Sequence, residues 1–420
     1  MENTSRIKLN KKSFLSDIKI NVDTFIHIFC FLSVLFIGAD LLGVNVGVNL
    51  RFDQVLLFIF ALLLTVKGKY RFTFNIWIIL FALFPLVSIF SAVSIKRGIL
   101  FYFSIAYNII FLFYGFASYV RTYGLAKFIK ILRKTCYVQF VLFLLQYFLK
   151  IVLNYEFSFL PTYGFFMGIP RFRLWFYEPS YLANYMVFWF SISFFMYLLA
   201  NDKRYFKDII FCALMLILST STTGFLGIAL VVGIIYIIWL LKSITLRKLI
   251  FPFICLILLA VAYFVFNDIF EVFIGRLFNS SLDEASGGRI TGWEETFKVF
   301  KDNPLFGVGP GNYGLYLGED AGYVPSNVTL EIMATLGIFS AIAFYALTLQ
   351  LIVKSVRIYK IEKNSETKLL VACAIGLLIF TIILQANQGY LRLYHWMLFG
   401  IIEGGILRYK KVKKEKISYV

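Results

Sequence analysis

Arg171 and Arg173 flank Phe172 in the segment RFRLWFYEPS, and Arg289 opens the segment RITGWEETFKVFKD far downstream. A guanidinium keeps its charge at any relevant pH and grips phosphate through two parallel hydrogen bonds, so three that converged would hold a diphosphate. Arg171 and Arg173 are two apart and point the same way only in an extended chain. Pro170 disfavours helix through residue 169 and makes that conformation plausible. The same side chains also suit snorkelling or salt bridging. The stretch 267–326 carries nine acids and four bases, so Arg289 has partners available there.

Glu178 sits before Pro179, where an apolar run begins. A carboxylate at that depth is expected to be partly desolvated, with a raised pKa. It fits a general base, the partner of an arginine, or an ordinary cap. Arg392 and His395 are three apart and would share a helical face. Arg392 then adds a phosphate or sugar contact, and His395 is either a catalytic imidazole or an interfacial packing residue. His27 reads as structural. Asp40, Asn108, Gln139 and Asn184 are weaker signals, because polar residues inside apolar runs also bridge helices.

The elements that must position these groups are membrane spans. The chain has 420 residues, 60% of them hydrophobic and 15% charged, where a soluble domain carries roughly 25% charged residues. Runs long enough, or nearly so, to cross the hydrocarbon lie at about 24–44, 53–66, 72–94, 98–119, 135–153, 181–200, 207–219, 222–241, 249–266, 327–350, 369–386 and 395–407. They predict an all-α polytopic membrane protein of about 12 transmembrane helices, a single domain over 1–420. With both termini inside, 30 of the 41 Lys and Arg fall in the inner segments, as orientation in a bilayer requires. The net charge of +18 is therefore topological, and no nucleic-acid partner is implied. Five cysteines, Cys30, Cys136, Cys212, Cys255 and Cys373, lie in or beside apolar runs without metal-ligand spacing, so neither disulfides nor zinc are expected.

Two outer segments, 154–180 and 267–326, are longer than turns and hold the candidate chemistry. In the second, Ile290, Trp293, Phe297 and Phe300 recur at helical spacing with charges between them, which predicts an amphipathic helix over 290–302. Too short to span, it is expected to lie on the membrane surface as a lid, with Trp293 contacting substrate. Asn303 and Pro304 end it. The run GVGPGNYG, 307–314, then forces a tight backbone turn; it lacks the strand context of a dinucleotide site.

The stretch GGRITGWEETFKVFKDNPLFGVGPGNYG, 287–314, followed by PSNVTLEIMATLGIFSAIAFY, strongly resembles the signature region of the O-antigen ligase and polymerase family. RFRLWFYEPSYLANY, 171–185, and LSTSTTGFLGIAL, 218–230, resemble segments of the Wzy-type polymerases in the same order. The resemblance implies a membrane glycosyltransferase of the C class in the bacterial cytoplasmic (inner) membrane. Its partners would be the bilayer and an undecaprenyl-diphosphate-linked glycan on the outer side, with a chain-length regulator left open. No cofactor, metal or nucleotide sugar is implied. Ligase-type members carry a His-Asn pair after the glycine run; here the place reads Ser326, Asn327. That departure favours a repeat-unit polymerase, with Arg171, Arg173 and Arg289 stabilising the leaving diphosphate and Glu178 or His395 taking the acceptor proton. The alternatives are a ligase passing a finished glycan to a lipid or protein, and a lipid-linked oligosaccharide flippase or transporter. The latter would want charges at the midplane and matched halves.

Overall fold

The computed structural model describes residues 22–45, 49–157, 160–166, 169–242, 245, 250, 289–319 and 323–418. Helices account for nearly all regular structure among them. In chain order they are α1 (Val22–Leu35), α2 (Phe52–Val66), α3 (Ile76–Ser88), α4 (Ile95–Tyr107), a π-helical segment (Asn108–Tyr114), α5 (Gly115–Tyr123) and α6 (Leu125–Leu153). There follow α7 (Pro179–Ala200), α8 (Lys203–Leu218), α9 (Thr222–Lys242), α10 (Arg289–Asp302), α11 (Tyr313–Leu317), α12 (Val328–Ile361), α13 (Ser365–Ile383) and α14 (Leu393–Ser418). Two short antiparallel pairs, β1 (Gly43–Asn45) with β2 (Asn49–Arg51) and β3 (Phe165–Phe166) with β4 (Ile169–Pro170), lie in connections.

A helix overlies each expected apolar run except that at 249–266. Apart from residue 250 that run lies outside the described residues, as do residues 267–288 and 320–322 of the large loop and Cys255. Among the described residues, six helices are long and apolar enough to cross a membrane, the π segment joining α4 to α5 as one span; α1, α2 and α3 are apolar and shorter. The protein is thus an all-α polytopic membrane protein. The four described cysteines are free thiols.

Helix α7 lies at the centre. Its sequence is apolar all round, so no face is reserved for lipid, and residues from Tyr181 to Ser193 are buried without interruption. It packs on α8, α9 and α13. Helix α14 lies against the π segment and α5 at two glycines. A Cβ at Gly400 would come within 2.5 Å of the Phe113 carbonyl oxygen, and one at Gly404 within 2.6 Å of that of Ala117.

The signature segment has a structural task. Helix α12 is broken at Gly337, whose φ of +82° only glycine adopts without strain. The break separates the Ala334 carbonyl from the Ile338 amide, which an unbroken helix would pair. The loop after α10 satisfies both: the Val308 amide donates to Ala334 O at 2.9 Å and Pro304 O accepts from the Ile338 amide at 3.0 Å. So close an approach leaves no room for side chains, and a Cβ at Gly307 would sit 2.5 Å from the Thr335 carbonyl carbon. The expected tight turn is there: Gly307 packs against α12, while a Cβ at Gly309 or Gly311 would come within 2.5 Å of Ala92 or of the Phe101 ring. The turn between α3 and α4 closes the other side, where the Ser94 amide donates to Asn312 Oδ1 at 2.7 Å.

Candidate active site

The connection between α6 and α7 runs extended past Pro170. The Tyr163 amide donates to Arg171 O and the Arg171 amide to Gly164 O, both at 3.0 Å. Side chains therefore alternate. Phe172 is fully buried, while Arg171 and Arg173 emerge together over the ring of Tyr163, at 5.4 and 5.2 Å from its centroid. This is the common direction that the two-residue spacing allows in an extended chain. Arg173 also donates to Pro161 O at 3.2 Å and to Tyr177 O, which closes the loop on itself. Burial lowers the Arg173 guanidinium from its ordinary pKa. Burial and then the Glu178 charge raise the Tyr163 phenol, so Arg171, Arg173, Tyr163 and Glu178 form one electrostatic neighbourhood.

Glu178 is the residue before the first turn of α7, but its side chain does not cap the helix. Its carboxylate instead accepts the Ser180 hydroxyl at 2.9 Å. It is half-buried and thus within reach of a ligand in the loop.

One turn into α7, Tyr181 meets Arg392, whose Cζ lies 3.4 Å from the ring centroid. The Gln388 amide fixes the Tyr181 hydroxyl. Arg392 pairs with Asp40 at 3.1 Å, and Asp40 also accepts the Tyr177 amide at 3.2 Å. The loop bearing Arg171 and Arg173 is thereby tied to the head of α14. Arg51 completes the group through Asp40 at 2.6 Å and Asp53 at 2.6 Å. From α12, the buried Glu331 accepts the Gly389 amide at 2.9 Å and lies in the field of Arg392. Asn108, in the π segment, donates to Leu391 O at 3.0 Å.

His395 is placed differently. It is fully buried among Phe344, Phe380 and Phe399, with ring centroids 4.6 to 5.1 Å away. Neither ring nitrogen has a hydrogen-bond partner among the described residues. The ring is thus packed inside the bundle and not at an interface, apart from the arginine cluster.

The amphipathic helix exists as α10, over the expected residues. Thr296 and Val299 are its buried positions, packed with Val308, Tyr313 and Ala334, and Thr296 shares a 2.8 Å hydrogen bond with Tyr313. Phe297 is 43% exposed with Lys301 over its ring. Helix α10 therefore has two apolar faces, one on α12 and one outward. Arg289 opens the helix. Trp293, one turn on, has its indole nitrogen buried with no acceptor among the described residues. Because α10 packs on α12, it is attached to the helix that brings Glu331 to Arg392.

Asn327, in the place of the family's His-Asn pair, caps α12 by accepting the Leu330 amide at 3.0 Å and donates to Gln385 O at 2.8 Å. Sequence reasoning passed over Arg51, Asp53, Glu331, Tyr163 and Tyr181. Glu331 had a usable signal, as the one acid between Val328 and Val353; an intramembrane carboxylate is a functional candidate by default. The two tyrosines carried no signal among the chain's 26.

Helices long and apolar enough to span a bilayer, with arginines, carboxylates and aromatic rings gathered at one end, define a multi-pass membrane protein. Residues 209–345, from within α8 to within α12, match the family model described as O-Antigen ligase, and the match supports membership of the O-antigen ligase/polymerase family. The matched segment includes α10, the glycine run and the break in α12. No curated protein matches the chain.

Proposed function

We propose that this membrane enzyme of the O-antigen ligase/polymerase type is a polysaccharide repeat-unit polymerase acting at the outer face of the bacterial cytoplasmic membrane, with both termini in the cytoplasm. It would transfer the growing glycan from one undecaprenyl diphosphate to a hydroxyl on another lipid-linked oligosaccharide. The observation that carries this reading is the pair Arg171 and Arg173, side by side over Tyr163 with Glu178 in the same neighbourhood.

The acceptor oxygen attacks the anomeric carbon of the donor sugar as the bond from that carbon to the phosphate oxygen breaks. The electron pair leaves with undecaprenyl diphosphate, and the acceptor proton passes to the Glu178 carboxylate. Negative charge develops on the leaving diphosphate, where Arg171, Arg173, Arg289 and Arg392 would stabilise it. Trp293 on α10 would cover the sugar and keep water from the reacting carbon.

Deleting the gene and examining the glycan tests the reaction. Loss of polymer with single units still attached to their acceptor is the polymerase result. Lipid-linked polymer that accumulates untransferred would overturn it in favour of a ligase, the alternative that the matched family's description supports. Within the site, Arg171→Lys, Arg173→Lys and Arg289→Lys keep the charge and lose the fork. Three such variants with near-normal polymer would leave these arginines as interface anchors.

A further inference from the structure

The carboxylate of Asp40 is divided between two arginines. Oδ1 accepts Arg51 Nη1 at 2.6 Å, and Oδ2 accepts Arg392 Nη1 at 3.1 Å and the Tyr177 amide at 3.2 Å. The other edge of Arg51 is held independently, Nε donating to Asp53 Oδ1 at 3.1 Å and Nη2 to Asp53 Oδ2 at 2.6 Å. Asp53 has no exposure and is fixed by the Gly38 and Ala39 amides at 3.0 and 3.2 Å.

The two carboxylates thus differ in permanence. Asp53 cannot leave without orphaning two buried amides and a guanidinium, which is costly. Asp40 keeps 10% exposure, and Arg51 and Arg392 keep 21% and 20%. If Asp40 swung away, Asp53 would still aim Nη1 of Arg51 at the gap, and Tyr181 would still support Arg392 from below. Two preset guanidinium edges facing a shared oxyanion match two oxygens of a phosphate. The charges agree: Arg51, Arg392, Asp40 and Asp53 sum to zero, and losing Asp40 from the set leaves a cationic cradle.

We propose that Asp40 is a displaceable counter-ion holding the place of one phosphate of a lipid diphosphate, and that Arg51 is a further residue binding that diphosphate. The proposal rests on the donor assigned under Proposed function. It brings the N-terminal part of the chain, outside the family match, into the donor site.

The test uses the full chain in lipid nanodiscs titrated with farnesyl diphosphate and, separately, with inorganic diphosphate, against empty discs. The wild type should bind farnesyl diphosphate. Asp40→Asn and Asp40→Ser, which remove a competing anion, should bind it about tenfold more tightly, and Arg51→Lys about tenfold more weakly. In the double variant Asp40→Asn, Arg51→Lys the gain should vanish, because the two act at one place. Unchanged or weaker binding by the folded Asp40 variants would make Asp40 a positioning residue and overturn the proposal while leaving the polymerase reading intact. Unchanged binding by Arg51→Lys overturns it alone. A wild type that binds neither probe overturns both readings, and equal affinity for the two probes assigns the cradle to free diphosphate and removes the lipid donor.

Discussion

The two ends of the helix bundle use the same residue types to opposite ends. At the end opposite the arginine cluster, Asp208 accepts Arg133 and the Tyr137 hydroxyl, both at 2.7 Å, and Arg133 lies over Tyr205. Nearby, Glu366 accepts the Leu125 and Ala126 amides at 3.2 and 3.4 Å, and Arg408 donates to the Thr122 carbonyl at 3.1 Å. Asp208, Glu366 and Arg408 there each meet backbone or a side chain on another helix. At the arginine end, one carboxylate is split between two guanidiniums and the loops bring further arginines over an aromatic ring. Charge at the first end is matched pairwise; at the arginine end it is shared and left partly open to solvent, as the proposed ligand site requires.

The largest expected effect tests the scaffold of the arginine end. A Cβ at Gly337 would lie 2.0 Å from the Leu305 carbonyl oxygen, so Gly337→Ala should drive out the loop that bridges the break in α12. Folded protein, measured by detergent-solubilised yield and monodispersity, should be nearly lost; a normal yield would mean that the break is not held by that contact.

Next is Asp208→Asn, which leaves Arg133 without its counter-charge and should cost roughly 3 kcal/mol of stability. Its melting temperature should fall while activity per folded molecule stays at the wild-type level. A specific loss of activity would break the comparison. Arg392→Lys is the converse. It should reduce polymer about ten- to a hundredfold, the worth of one buried charge-assisted hydrogen bond, with protein level unchanged, and polymer length on a gel reads the difference. The smallest effect is expected from Trp293→Ala, a fall in turnover of roughly fivefold as a cover over the site loosens. An equal fall in abundance would leave α10 as packing alone.

Much of this was legible in the sequence, for reasons that differ between residues. Spans announce themselves because lipid admits only internally bonded backbone, so helix follows from long apolar runs such as 181–200 with little competition. The shared direction of Arg171 and Arg173 was readable from Pro170 and a spacing of two. The buried face of α10 was not. In a protein bathed in lipid an apolar residue such as Phe297 has two good environments, and only the packing of α12 decides between them. Nor could Asp40 be separated from an ordinary helix bridge, since its meaning lies in Arg51 and Arg392, distant in sequence. His395 was legible as two alternatives, and its cage of Phe344, Phe380 and Phe399 is assembled from three helices.

The seam between α14 and the π segment carries a consequence for the precision of the arginine end. Gly400 and Gly404 let two backbones touch, and Asn108 holds Leu391 from the same segment. Gly400 lies eight residues below Arg392, about 12 Å along a helix. Helix α14 can neither roll nor slide along that seam, so it acts as a stiff mast for the guanidinium at its head. A methyl group at Gly400 would lever the mast sideways and misaim Arg392 from a distance, without touching a charge. The aim of Arg392 is in this way set eight residues along the helix, by residues that have no side chain.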